Sequence, residues 1–193
     1  MGKPLTDIVA PDLSVVFCGV NPGLAAAAAG HHFVGRGNRF WRVLHLAGFT
    51  PRQVAPEDET ILLSFGLGVT SIVERPSAAV TDLARSEFTS AAAPFERWVR
   101  RHEPRCVAFL GKTAYQAMMG RGDVAWGRQD DLFAGALAWV LPNPSGRNRT
   151  FGLKVLVTAY SALRVSAEAG FGPARDAAHL GAVDAGLGAP SCA

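Results

Sequence analysis

Cysteine and lysine are scarce in this chain and long apolar runs are missing, and each shortage removes a class of function. The three cysteines, Cys18, Cys106 and Cys192, lie far apart with no C-x-x-C spacing. Thiolates therefore cannot build a zinc site or an iron–sulfur cluster at the usual intervals, and neither a metal nor a cofactor is expected. Cys18 and Cys106 fall within apolar strand-like runs, where a free cysteine is a small buried hydrophobe, and a reducing compartment suits them. No export signal opens the chain, and no apolar run approaches the ~20 residues of a bilayer span, so a cytoplasmic location is the expectation. Lysine occurs only at Lys3, Lys112 and Lys154, so arginine carries most of the positive charge behind a net +3 and a pI near 9.0. An arginine fork suits phosphates and base edges, which leans towards a polyanionic partner, although a coding bias that raises Arg and Ala together would give the same excess. With 193 residues, 49% of them hydrophobic, the chain can fill the core of one domain.

Short continuous apolar runs at 14–20, 107–111 and 137–141 predict strands buried on both faces of a parallel sheet. A weaker strand is expected at 64–70, where Gly66 and Gly68 interrupt the run. Between them, 38–47 puts Phe40, Val43, Leu44 and Ala47 on one stripe, and 94–102 does the same with Phe95, Trp98 and Val99; helices are also expected over 113–119 and 151–167. Strand and helix alternate, so the class is α/β. The alanine run 25–29 lies between Gly23 and Gly30 and reads as a close-packing loop. Residues 1–169 form the expected domain, and the Gly-, Ala- and Pro-rich 170–193 a loosely ordered tail.

Two segments carry most of the functional information. The first, VVFCGVNPGLAAAAAGHHFVGRGNRFW at 15–41, is an apolar run that stops at Val20-Asn21-Pro22-Gly23 and enters a loop of small residues. The second, LPNPSGRNR at 141–149, repeats the Asn-Pro turn about 120 residues later and adds two arginines. Ligands of open parallel sheets bind outside the carboxyl ends of the strands, so both turns are expected in one cleft. Asn21 precedes a proline, which favours extended backbone and projects its amide. An amide can hold a water or a base edge but cannot take a proton as a carboxylate does; the alternative is an Asn-Pro turn that satisfies its own backbone. Phe33 has no apolar partners at helical or strand spacing, which makes it a candidate platform for a planar ring. His31 and His32 are adjacent and are expected to point apart and hydrogen-bond within the loop. The Gly35–Gly37 pair lacks the third glycine of a dinucleotide fingerprint. Ser145-Gly146-Arg147-Asn148-Arg149 suits phosphate binding or entry into a groove, or alternatively a helix cap at Ser145 with solvated arginines.

These motifs, together with GVTSIVERP at 68–76, LGKTAY at 110–115 and Trp126-Gly127, resemble the mismatch-specific uracil-DNA glycosylases, bacterial relatives of thymine-DNA glycosylase, over residues 10–168. The resemblance implies a three-layer α/β/α sandwich with a central, mainly parallel sheet. It also implies a monomer that flips uracil and related damaged pyrimidines out of G·U mispairs in double-stranded DNA and hydrolyses the N-glycosidic bond, leaving an abasic site. Asn21 matches the asparagine that holds the attacking water, and Phe33 the aromatic that stacks on the flipped base. Val20 and Phe33 would offer backbone groups to the base edge, with Gly23, His31 and Asn143 also on the substrate side. Ser145, Gly146, Arg147, Asn148 and Arg149 match the segment that enters the duplex, and Lys112 lies in a matching DNA-binding motif.

Flipping is needed because a stacked base shields its sugar carbon, and a mispair lowers the cost. Stabilised by hydrogen-bond donors, a uracil anion is a tolerable leaving group, so a neutral amide and an oriented water suffice for slow turnover. Arg147 stands where close relatives carry an apolar wedge, and a guanidinium enters a base stack less readily, which is expected to loosen mismatch dependence. Two acids, Glu74 and Asp82, flank the third motif; Asp82 is the preferred candidate for a second, water-activating catalytic group, its alternative being a helix cap. Neither Asn-Pro turn holds a lysine for a Schiff base, so a monofunctional enzyme is expected. The competing reading is a non-catalytic protein that binds damaged or mismatched DNA on the same fold. A hydrolase of free nucleosides is disfavoured by the arginine-bearing turn.

Overall fold

Strands that are apolar throughout must be covered on both faces, and the central ones are: every residue of β1 (Val15–Gly19) and β3 (Cys106–Leu110) is buried. The computed structural model describes residues 5–171. In it β1 lies between β2 (Leu67–Ser71) and β3, and β3 pairs on its other side with β5 (Ala136–Leu141), all parallel. The fifth strand, β4 (Gly127–Phe133), runs antiparallel along β5 and completes the order β2-β1-β3-β5-β4. Side chains alternate across the sheet. Val15 and Phe17 face a core shared with α2 (Phe40–Leu46) and α5 (Leu153–Glu168), where Phe40, Leu44, Leu156 and Tyr160 pack. Cys18, Val107 and Phe109 face the opposite core, closed by Phe95 and Val99 of α3 (Arg85–His102) and Tyr115 of α4 (Lys112–Met119). The result is a three-layer α/β/α sandwich.

The structure departs from sequence expectation in several places. Residues of the alanine run form a short helix, α1 (Leu24–Ala29), instead of a loop. Alanine propensity prevails because Gly30 takes the left-handed conformation at φ 76° and its N–H caps the Ala26 carbonyl. The expected helix at 94–102 begins nine residues earlier, with Pro94 inside α3. Its start is secured by Glu87, whose carboxylate accepts the Ala84 N–H at 2.8 Å. No apolar run announced β4, because it is a bulged edge strand with exposed charge, a composition that discourages further strand pairing. A 3₁₀ segment, Pro56–Phe65, was also not foreseen.

Gly68 weakened the sequence case for β2, yet it is what lets the strand be crossed. Ile8 bridges antiparallel to Val69, and a Cβ at Gly68 would lie 2.7 Å from the Ile8 carbonyl. The folded chain continues to Phe171, which is buried against the α5 face; residues 172–193, the greater part of the expected tail, and Cys192 with them, lie outside the described residues. Cys18 and Cys106 are buried, and burial pushes both thiols up from their ordinary value. Among the described residues no helix is long and apolar enough to cross a membrane.

The parallel strands deliver their carboxyl ends to one edge. From β1 the chain passes to β2 on one side and then to β3 on the other, so a topological switch point opens between β1 and β3. Above it the loops after β1 and β5 are tied together by Arg39. Its guanidinium donates to main-chain carbonyls only: Phe151 at 2.6 Å, Asn148 at 2.8 Å, Ser145 at 3.1 Å and Pro144 at 3.3 Å. Its own N–H adds a second bond to Pro144 at 3.0 Å. Beside this clamp the backbones touch, since a Cβ at Gly146 would lie 2.7 Å from the Arg36 carbonyl.

Hydrogen bonds from a charged donor contribute about 1.5–3 kcal/mol each, and their loss is not additive, so Arg39→Met should lower unfolding free energy by about 3 kcal/mol in urea titrations. Gly68→Ala should cost about 1–3 kcal/mol in the same assay, because the new methyl meets the Ile8 main-chain carbonyl as well as the Leu13 side chain, and the backbone cannot simply swing aside.

Candidate active site

A cleft of about 830 Å³ lies over the switch point, within the range of small-ligand sites. Val20, Asn21 and Gly23 after β1, Phe33 from the following loop, Lys112 at the start of α4, and Asn143, Ser145, Gly146, Arg147 and Asn148 after β5 all line it. Three strand ends and one loop bring these residues together. No Asp or Glu is among the described residues that line it.

Asn21 is held by the loop that follows β2. Its Nδ2 donates to the Ser77 hydroxyl at 2.8 Å and to the Arg75 carbonyl at 2.9 Å, with a longer bond to the Pro22 carbonyl at 3.3 Å. Carbonyls only accept, so these partners fix which end of the amide is nitrogen. The Oδ1 is the acceptor that remains. The same loop is laid along the turn by main-chain bonds, Ile72 to Gly19, Val73 to Val20 and Ser77 to Pro22. The Val20 carbonyl therefore already accepts one hydrogen bond.

Arg75, whose carbonyl anchors Asn21, is pinned in turn by Glu87 at 2.6 and 2.9 Å, and it donates to the Asp82 carbonyl at 2.9 Å. The Arg75 guanidinium and the Ala84 N–H together draw the Glu87 carboxyl down to about 2. The expectation that Asp82 reaches the cleft does not hold. Asp82 is exposed and absent from the lining; its carboxylate accepts the Ala79 N–H at 2.8 Å and so closes a 3₁₀ turn, Val80–Asp82. Glu74 is exposed and lines a different cavity.

Phe33 stacks on Phe40 of α2 with ring centroids 3.8 Å apart and holds a left-handed backbone at φ 56°. It lines the cleft and also leans on the α2–α5 core, so the view of it as a residue without apolar partners is corrected. His31 and His32 do not point apart. Both Nδ1 atoms converge on Glu59, at 3.2 and 3.0 Å. His31 does not line the cleft, whereas His32, which was given only a loop role, does.

Asn143 lies in the lining, but its amide is committed to the turn. Nδ2 donates to the Leu110 carbonyl at 3.0 Å, tying the ends of β3 and β5, and Oδ1 accepts the Ser145 N–H at 2.9 Å. Both ends of this amide thus hold the turn in shape. Arg147 is exposed at the rim, while Arg149 is exposed outside the lining. Lys112 sits with its Nζ 4.7 Å from the Trp126 ring centroid, a cation–π contact that keeps the ammonium at the cleft. Arg36, also in the lining, adds a cation that sequence reasoning passed over. Arg39, Arg75, Ser77 and Glu59 were missed as well, because each acts on backbone or on another side chain; Arg39 and Arg75 lie within the quoted motifs, but their spacing does not show whom they bind.

The sequence profile of the Uracil DNA glycosylase superfamily matches residues 6–164. The fold is similar to the solution NMR structure of a candidate uracil DNA glycosylase from Methanosarcina acetivorans, with a TM-score of 0.56 and 19% identity over 84% of this chain and 98% of that one. The matched span contains every strand and helix that builds the cleft except the last turn of α5, and the chain belongs to the uracil DNA glycosylase superfamily.

Proposed function

We propose that this protein is a monofunctional DNA glycosylase that removes uracil from G·U mispairs by hydrolysing the N-glycosidic bond. The observation that carries the reading is the locked amide of Asn21. With Nδ2 committed to Arg75 and Ser77, Oδ1 can accept one hydrogen of a water and direct its lone pair at the sugar carbon of a flipped nucleotide. The lining holds no carboxylate among the described residues, so the reaction relies on departure of the base. The bond to the sugar breaks towards the base, the water oxygen bonds to the carbon, and the water's second proton passes to solvent. Backbone N–H groups at the mouth of the cleft would stabilise the charge that develops on the base.

Phe33, backed by Phe40, gives the flipped ring a stacking surface. Arg36, Lys112 and Arg147 surround the opening with positive charge suited to the phosphates on either side of the extruded nucleotide. Arg147 at the rim favours weaker dependence on a mispair than an apolar wedge would give. A damage-binding protein without catalysis could use the same amide only to read a base edge, and base release separates the two readings.

Single-turnover release of base from a labelled duplex with one G·U pair tests the proposal, with A·U, G·T and single-stranded uracil alongside. Wild type should release uracil from G·U fastest and need alkali for strand cleavage; no release from any substrate, with mismatch binding intact, would favour the binding reading. Asn21→Ala should slow release by about 100-fold, the typical penalty for a misplaced reactant, and Ser77→Ala by about fivefold, the equivalent of one hydrogen bond of ~1 kcal/mol. Asp82→Asn should leave the rate within about twofold, since its carboxylate closes a surface turn whose loss costs little. Affinity for duplex should fall steeply with salt, unlike that of a nucleoside hydrolase for its substrate.

A further inference from the structure

We propose that Glu59 is a positioning residue for the stacking platform: by gripping His31 and His32 it sets where the Phe33 ring lies and which nitrogen of His32 carries the proton. This rests on the glycosylase reading above. Glu59 belongs to the 3₁₀ segment Pro56–Phe65, is not itself part of the cleft lining, and is only 6% exposed. A buried carboxylate is costly unless donors surround it. Here Oε2 accepts the His32 N–H at 2.8 Å and the His32 Nδ1 at 3.0 Å, while Oε1 takes the His31 Nδ1 at 3.2 Å. Burial works against the charge, but the bonds from His32 and then His31 outweigh it and hold the Glu59 carboxyl below its ordinary value.

From the other side, Trp41 Nε1 donates to the His32 carbonyl at 3.1 Å. Both main-chain groups of the residue before Phe33 are thus tied to rigid elements. The tie is needed, because a bulky residue at φ 56° sits in a conformation it would leave unless its surroundings prevented it. Freed of Glu59, the loop could relax to negative φ and swing the ring off Phe40.

An ionised carboxylate only accepts, so both Nδ1 atoms must carry hydrogen. In its neutral form the His32 ring then has Nε2 as an acceptor. That nitrogen is buried, has no hydrogen-bond partner among the described residues, and belongs to a ring that lines the cleft. Glu59→Gln keeps the shape but replaces one acceptor by an NH₂ donor, so it cannot satisfy both histidines unless one ring reverses its tautomer.

The test combines three measurements on Glu59→Gln and, as control, on Glu57→Gln, an exposed neighbour: single-turnover release from the G·U duplex, inhibition by free uracil, and affinity for a uracil-free duplex. Stacking of a base contributes about 1–3 kcal/mol, so Glu59→Gln should slow release and weaken uracil inhibition each by about 10-fold or more, leaving duplex affinity within about twofold. Glu57→Gln should match wild type. Imidazole ¹⁵N NMR of the wild type at alkaline pH should place the protons of His31 and His32 on Nδ1, a readout independent of activity and of the variant's folding. Unchanged release and uracil inhibition in Glu59→Gln, an equal loss of duplex affinity, or a neutral His32 protonated at Nε2 would each overturn the proposal. Failure of the wild type to release base would instead sink the glycosylase reading, and the NMR result would still judge the role of Glu59.

Discussion

Main-chain carbonyls that leave water need donors, and at the mouth of this cleft one side chain supplies most of them. The segment 144–151 has neither helix nor strand to pair its backbone, and it hangs over the switch point between β1 and β3. Arg39 binds four of its carbonyls with one planar group. Because Arg39 is the residue from which α2 starts, the loop after β5 is fixed to the same helix that supports Phe33 through Phe40. The stacking surface and the basic rim thus share one anchor. A lysine could not reach four acceptors in different directions, which is the physical reason for arginine here.

A second constraint works at the other wall. A neutral amide can position a water only if its two ends are told apart, and the loop after β2 does this with the Arg75 carbonyl, which cannot donate, and with a Ser77 hydroxyl that gives its own hydrogen to the Ala79 carbonyl at 2.6 Å. The GVTSIVERP motif therefore acts at a distance: Arg75 serves through its carbonyl, while its guanidinium is occupied with Glu87 and the Asp82 carbonyl. The absence of carboxylates from the described lining keeps the local field positive, which suits both phosphates and a base leaving as an anion.

Much of this was legible along the chain. Strands β1, β3 and β5 declare themselves as apolar runs because burial on both faces allows nothing else, and the Asn-Pro turns at their ends point to the cleft. Strand β4 is half exposed and carries no such signal. Gly68 misleads, since its missing side chain reflects the crossing segment at Ile8 and not a weak strand. Asp82 drew interest as an acid near a motif, but a carboxylate three residues beyond a turn start also caps that turn, and nothing in the local sequence decides between the two.

The sequence by itself determined the fold class, the strand ends that carry the site, and the chemical types available there, because periodicity and turn residues are local properties of the chain. Tertiary structure decided which side chains serve the ligand and which serve the loops. Asn21 and Asn143 occupy equivalent Asn-Pro turns, yet one is held through its Nδ2 by the distant Ser77 hydroxyl while the other accepts the nearby Ser145 N–H on its Oδ1. His31 and His32, adjacent in sequence, share a carboxylate 28 and 27 residues away. Hydrogen-bond partners of this kind are set by how distant segments are brought together, and residue type and spacing do not encode which of them will meet.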